Sequence, residues 1–209
     1  MNWANELAAE ELGLMRGVTI AVVTNNKDPK KLGRVKVKFP KLDDKYESDW
    51  ARVVTFMGGK GRGAYFIPEV EDEVLVAFEN GSIHRPYIVG SLHNGKDKPP
   101  KKGPNDKNDV RLIRSRSGHE IRLTDTKGKE KIEIIDAKGK NKITIDTKKG
   151  KIEIKAKKQI KIDCKAGKVM VTAKSLNIKT SGAMKVKAGG ALNLEGKTVK
   201  IKGSKVDIN

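Results

Sequence analysis

From Ile121 to Asn209 the chain repeats one short unit: an apolar residue, an outward residue, a second apolar residue, then a polar joint. The pairs are Ile121/Leu123, Ile132/Ile134, Ile143/Ile145, Ile152/Ile154, Ile160/Ile162, Val169/Val171, Leu176/Ile178, Met184/Val186, Leu192/Leu194, Val199/Ile201 and Val206/Ile208. Their starts lie eleven residues apart at first and then seven to nine apart, a repeat in the range of stacked-strand architectures. A period of two inside each unit puts both apolar side chains on one face of a strand and the Lys, Glu, Asp or Thr between them on the other. Each unit reads as a half-buried strand whose apolar face needs a cover.

The joints are too short to hold a helix or a second sheet. One coil of a solenoid takes about 20 residues or more to enclose a core, so seven or eight residues do not close one alone. One strand from each of three chains gives about 24 residues per layer, which does. The expectation over residues 111–209 is a three-chain intertwined β-helix, a β-prism, with the pairs from Ile132 to Ile208 as its core. Assembly of this homotrimer and folding are then one event.

Composition agrees. Aromatic residues are 4% of the 209 while charged residues are 34%, too few large apolar side chains for one globular core of this length. No apolar run approaches the ~18 residues of a membrane span, and no signal-peptide pattern opens the chain. The expectation is synthesis in the cytoplasm without a signal peptide. The single cysteine, Cys164, excludes an internal disulfide.

Residues 1–16 carry Trp3, Leu7 and Leu14 among alanines and glutamates, a spacing that fits a short amphipathic helix or a frayed arm. Trp3 and Leu7 are candidate docking anchors for a partner above the first domain. From Gly17 the pattern turns to β. Val18 to Val23, Val35 to Phe39, Trp50 to Phe56, Ala64 to Ile67, Val74 to Phe78 and Tyr87 to Leu92 read as strands. Gly58 to Gly63 reads as a flexible loop and Asn80-Gly81 as a hairpin turn. So many short strands within 17–93 fit a small closed barrel of the OB type, giving an all-β chain. Residues 94–110, rich in Lys, Pro, Gly, Asn and Asp, read as an extended linker or as a segment laid along the next subunit.

Four runs in this region carry a resemblance: Leu32-Gly33-Arg34-Val35-Lys36-Val37-Lys38-Phe39-Pro40; Ser48-Asp49-Trp50-Ala51-Arg52-Val53; Phe66 through Phe78; and His84-Arg85-Pro86-Tyr87-Ile88-Val89-Gly90-Ser91-Leu92. Together they resemble the OB-fold domain of contractile-tail spike proteins: phage baseplate spikes, the valine-glycine repeat proteins of type VI secretion and the spikes of extracellular injection particles. Ile113 to Ile121 resembles the junction where those proteins enter their β-helix. The resemblance implies a trimeric needle beneath a tail tube, driven through a target envelope by sheath contraction. It also implies assembly into a baseplate, a separate hub protein that Trp3 and Leu7 would meet, a cone-shaped tip protein at the far end, and no lysozyme-like activity.

Residue types for chemistry are scarce. His84, His93 and His119 lie far apart and offer no metal-ligand spacing, so no metal or cofactor is expected. Ser117-Gly118-His119-Glu120 holds nucleophile, base and acid types, but neighbours in a strand point to opposite faces and do not converge. No catalytic residue is expected. Lys plus Arg exceed Asp plus Glu by 19, and the excess is marked near the C-terminus. Lysines keep a long strand surface soluble and deter edge pairing. Lys197, Lys200, Lys202 and Lys205, tripled by symmetry, would also draw the needle to an anionic envelope in transient contact with the membrane. The rival class is an OB-fold nucleic-acid-binding protein with a basic tail. Its weakness is that a disordered basic tail would not keep eleven apolar pairs in register, so no nucleic-acid partner is expected.

Overall fold

A computed structural model describes residues 14–15, 17–41, 43–100 and 106–208, and the chain divides into two units, 1–159 and 160–209. The arm containing Trp3 and Leu7, and residues 101–105 of the linker reading, lie outside the described residues.

The first part of unit one contains β1 (Val18–Asn25), β2 (Lys36–Phe39), β3 (Asp43–Glu47), β4 (Arg52–Val53), β5 (Gly58–Gly59), β6 (Arg62–Gly63), β7 (Glu73–Phe78) and β8 (Pro86–Ser91). Six of these form one sheet in the order β3-β2-β1-β7-β8-β4. All its neighbours are antiparallel except β4 and β8, which run parallel. The sheet curls far enough to bring the start of β2 to the start of β4. Val35 and Ala51 exchange backbone hydrogen bonds of 3.0 and 2.8 Å, joining the start of β2 to the start of β4. Register breaks at Val23/Asn25 and Leu75/Val76 supply the local bends that such curvature needs.

Alternation decides what fills the curl. Ala21 and Val23 on β1, Val37 and Phe39 on β2, Val74 and Val76 on β7 and Ile88 on β8 are fully buried, with Val35 and Ala51. Tyr46, Val53, Ile67 and Phe78 pack around them, and Phe39 stacks against Tyr46 at 6.3 Å and meets Phe78 at 5.7 Å. Ser48 is buried because its groups are satisfied: the Val37 N–H donates to its Oγ at 3.0 Å, and that hydroxyl donates to the Asp49 carbonyl at 2.8 Å.

Four local readings change, the first being that the strand read over Trp50 to Phe56 shortens to Arg52–Val53. Asp43–Glu47 is a strand, although Asp-Asp-Lys-Tyr-Glu has no apolar alternation; pairing with β2 overrides its weak propensity. Ala64 to Ile67 belongs to no strand, although the Ala64 N–H donates to the Met57 carbonyl at 3.0 Å. Gly58 to Gly63 is a two-stranded ribbon, Gly58 opposite Gly63 and Gly59 opposite Arg62. The Asn80-Gly81 turn is present as a single 3-10 turn, Glu79–Gly81, with both residues at positive φ (51° and 78°).

The second part of unit one is a meander of β9 (Val110–Arg114), β10 (Glu120–Thr124), β11 (Lys131–Ile135), β12 (Lys142–Asp146) and β13 (Lys151–Lys155). Each strand pairs antiparallel with the next. Its last three joints each contain a glycine in the left-handed region, Gly128 (φ 78°), Gly139 (67°) and Gly150 (57°), spaced eleven residues apart. Only glycine takes that conformation without a Cβ penalty, so these positions allow the chain to reverse. Asp136 secures one reversal: the Lys140 and Asn141 N–H groups donate to its Oδ1 at 2.7 and 3.1 Å. Those bonds, that of Asn141 first, hold its carboxyl below the usual range.

In unit two the repeat shortens to seven to nine residues. Five residues of strand then leave two to four for the joint, and no described residue after Lys155 belongs to a strand. Every described residue from Ile154 onward is exposed. The single chain therefore does not bury the core expected of the later pairs. Ile160, Ile162, Val169, Val171, Leu176, Ile178, Met184, Val186, Leu192, Leu194, Val199, Ile201, Val206 and Ile208 are all exposed, from 48% at Val206 to 86% at Ile208. The physical reason is the joint: so few residues do not fold a ribbon back over its own apolar face.

Candidate assembly surface

The pairing register of the meander aligns its apolar residues into two ladders. One runs Ile113, Ile121, Ile134, Ile143, Ile154; the other runs Leu123, Ile132, Ile145, Ile152. All nine are on one face, and all are exposed, rising to 70% at Ile152 on the edge strand. Here too the core residues expected from the sequence, Ile132, Ile134, Ile143, Ile145, Ile152 and Ile154, stay uncovered within one chain, because a one-layer meander has nothing to pack on that face. A trough of about 470 Å³ follows the first ladder. A contiguous apolar surface of this kind marks a site of association.

The opposite face is the more buried one, which inverts the usual relation between polarity and burial. Its central row is Leu112, Arg122, Glu133, Thr144 and Glu153, one per strand. Glu133 is 3% exposed and is surrounded by cations: Lys131 Nζ at 3.4 Å, Lys142 Nζ at 3.5 Å and Arg122 Nη1 at 3.7 Å. Arg122 also pairs with Glu120, which Arg114 meets at 2.6 Å. The long stems of these cations cover the carboxylates while their charges compensate them. On the edge strand, hydrogen bonds from Lys151 and then Lys155 hold the Glu153 carboxyl below its usual range.

The turn entering β10 engages the residue types weighed for catalysis. Ser115 Oγ accepts from the His119 N–H at 3.0 Å, and His119 Nδ1 accepts from the Ala137 N–H at 3.2 Å. Glu120 is committed to Arg114 and Arg122. Among the described residues no three His, Cys, Asp or Glu side chains converge as metal ligands. On the barrel, Arg34 and Lys36 each lie 5.8 Å from the Trp50 ring, but both are neutralised: Arg34 by Asp28 at 2.7 Å and Lys36 by Glu47 at 2.8 Å. Lys205 pairs with Asp207 at 3.1 Å, while Lys197, Lys200 and Lys202 have no acidic partner among the described residues.

A family model for the type VI secretion system/phage-baseplate injector OB domain matches residues 19–93, the stretch that forms the curled barrel. The barrel resembles an injector OB domain. Type VI secretion system spike protein VgrG1b of Pseudomonas aeruginosa is 34% identical over 102 residues, 45% of this chain and 14% of that protein. VgrG5 of the same organism is 39% identical over 80 residues, 36% of this chain and 10% of its own length. VgrG3 of Vibrio cholerae is 38% identical over 74 residues, 32% of this chain and 7% of its own. The matched stretches thus span no more than about a seventh of these curated relatives. The resemblance to contractile-tail spikes drawn from the four motifs is shown at the level of the injector OB domain and its neighbouring residues.

The core of the injector OB domain was readable from alternation, but the charged cluster behind the ladders was not. Its signal lies in the eleven-residue spacing, which sets Arg122 opposite Glu133 and Glu133 opposite Thr144 once the strands pair. Charge type alone shows none of this.

Proposed function

We propose that this chain is a central spike of a contractile injection machine, in which three copies wind residues 111–209 into a β-prism below their injector OB domains. The single observation that carries the reading is the pair of unbroken apolar ladders, left open on one face and continued by seven more exposed pairs, behind a barrel of the injector family. Water contact over so much aliphatic surface is unfavourable by about 25 cal/mol per Å². Two further copies remove it. Beyond Lys155, where the chain no longer pairs with itself, strands from other chains also satisfy the backbone N–H and C=O groups that a single ribbon leaves open.

Function follows mechanically. Bending or compressing an interwound prism exposes apolar side chains of three chains at once, so the needle transmits the work of sheath contraction to the envelope and does not buckle. The chain performs no chemistry in this account. A hub protein meets the barrel end, through Trp3 and Leu7, and a cone-shaped tip caps the other end. The distal lysines bring the needle to an anionic surface before penetration. Electron microscopy of the purified chain tests the shape: a slender rod with a broader base is expected, and compact particles without a rod overturn the proposal.

A further inference from the structure

Leu14 and Met15 run close against the turn between β7 and β8. The Met15 N–H donates to the Gly81 carbonyl at 2.8 Å. A Cβ on Gly81 would stand 3.2 Å from the Leu14 Cβ and 3.3 Å from the Met15 carbonyl oxygen, so that glycine lets the two residues pass tightly over the Glu79–Gly81 turn. Glu79 of the same turn lines a groove of about 310 Å³ whose walls include Leu32, Arg34, Trp50, Arg52, Arg85 and Tyr87. Leu32 is exposed, and Trp50 and Tyr87 are half-buried, so the groove offers apolar and aromatic surface to whatever enters it.

The charges along this groove do not cancel. Arg34 is held by Asp28 at 2.7 Å, and His84, also in the wall, meets Asp49 at 3.3 Å. Arg85 reaches Glu79 only at 3.8 Å. Arg52 lies 4.8 Å from the centre of the Tyr87 ring and donates to the Tyr87 hydroxyl, which in turn donates to Glu79 at 3.1 Å. Arg52 has no acidic partner among the described residues. An uncompensated guanidinium beside two aromatic rings suits an occupant that brings a carboxylate together with apolar side chains.

We infer that residues 1–13 of the same chain occupy this groove, with Trp3 on its aromatic wall and a glutamate of the arm at Arg52. The arm carries Glu6, Glu10 and Glu11 and no Lys, Arg or Asp, the complement of that wall. Along a helix Trp3, Leu7 and Leu14 fall on one stripe, and Leu14 already lies at the turn that borders the groove. An isolated helix of this length is marginal in water; a groove that takes its apolar stripe supplies the burial it lacks. The short tether makes the contact intramolecular, with an effective concentration on the order of mM. One bulky side chain and one ion pair then suffice where a free partner would need more. The contact belongs to the chain before any hub is bound; it goes beyond the spike reading and does not depend on it.

The test is photocrosslinking of the full-length chain with Trp3→p-benzoylphenylalanine, the adducts being separated by denaturing electrophoresis and mapped by mass spectrometry. Adducts within one 23.0 kDa chain, at Trp50, Arg52 or the segment from His84 to Tyr87, are expected. Their yield should fall about two- to fivefold with Arg52→Glu, the change that loss of one exposed ion pair brings. Adducts only between copies, adducts mapped elsewhere, no adduct at all, or a yield that Arg52→Glu leaves unchanged overturns the inference. Each of these outcomes leaves the trimer standing, since light scattering reads its mass separately.

Discussion

Ile132 and Ile145 stand directly opposite one another in adjacent antiparallel strands, and both are exposed. Their register is fixed by neighbours on either side, since Ile132 also faces Leu123 and Ile145 faces Ile152. A shift of one residue would turn the charged face toward any incoming chain. In the proposed trimer the ladder is thus an interface aligned before its partner arrives.

Ile152→Asp places a carboxylate in the second ladder at its most exposed position. Each copy loses about 1.5–3 kcal/mol of burial, and three unpaired charges meet in an apolar core. Sedimentation should show loss of the trimer. Lys151→Gln, on the other face of the same strand, should leave the sedimentation coefficient unchanged.

Glu133 sits among Arg122, Lys131 and Lys142. Glu133→Gln leaves those cations without their shared carboxylate, a loss of about 3–5 kcal/mol for a buried pair broken on one side. Lys142→Ala removes one partly exposed partner and should cost less than about 1 kcal/mol. Thermal denaturation of the two variants should rank them in that order; equal effects would mean that the charges do not act as a cluster.

Asp28 anchors the loop between β1 and β2. Arg34 donates to it through Nη2 at 2.7 Å and Nε at 2.9 Å, and the Lys30 and Leu32 N–H groups donate at 3.0 and 2.9 Å. The Arg34 bond first, with the backbone bonds, holds its carboxyl well below the usual carboxylate range. A depressed folded pKa stabilises the fold above the unfolded pKa, near about 4, and that contribution declines as pH falls below it. Denaturant unfolding between pH 5 and 2 should show a steeper loss for wild type than for Asp28→Asn. Parallel curves would contradict the assignment.

Reversing Lys197, Lys200, Lys202 and Lys205 to Glu changes the net charge by −8 per copy, two for each of four sites, without touching an apolar pair. Cosedimentation with vesicles rich in anionic lipid should fall at least tenfold while the oligomeric mass is kept, because each basic residue near such a surface contributes about 1 kcal/mol. Retained binding would remove these lysines from any role at the envelope.

Much of the fold was legible because alternation is a local property. Val35, Val37 and Phe39 reveal their buried face within five residues. Asp43–Glu47 shows no such pattern, since its strand character comes from β2. The ladders were legible as pairs, but the point at which intrachain pairing stops was not read from the changing period. Eleven residues hold a strand and a reversal at Gly128 or Gly139 and nine still hold one at Gly150, whereas no described glycine after Gly150 takes a positive φ. Beyond that point Ile162, Val171, Ile178, Val186, Leu194 and Ile201 keep the alternation of a strand while lying exposed, since alternation marks a face and not what covers it. Glu133 was hidden because a glutamate between two isoleucines reads as solvated until its cross-strand neighbours are known.

Light scattering of the full chain at micromolar concentration and physiological salt tests the central claim most directly. The expected mass is about 69 kDa, three times the 23.0 kDa of one chain. A stable, folded species at 23.0 kDa would contradict it.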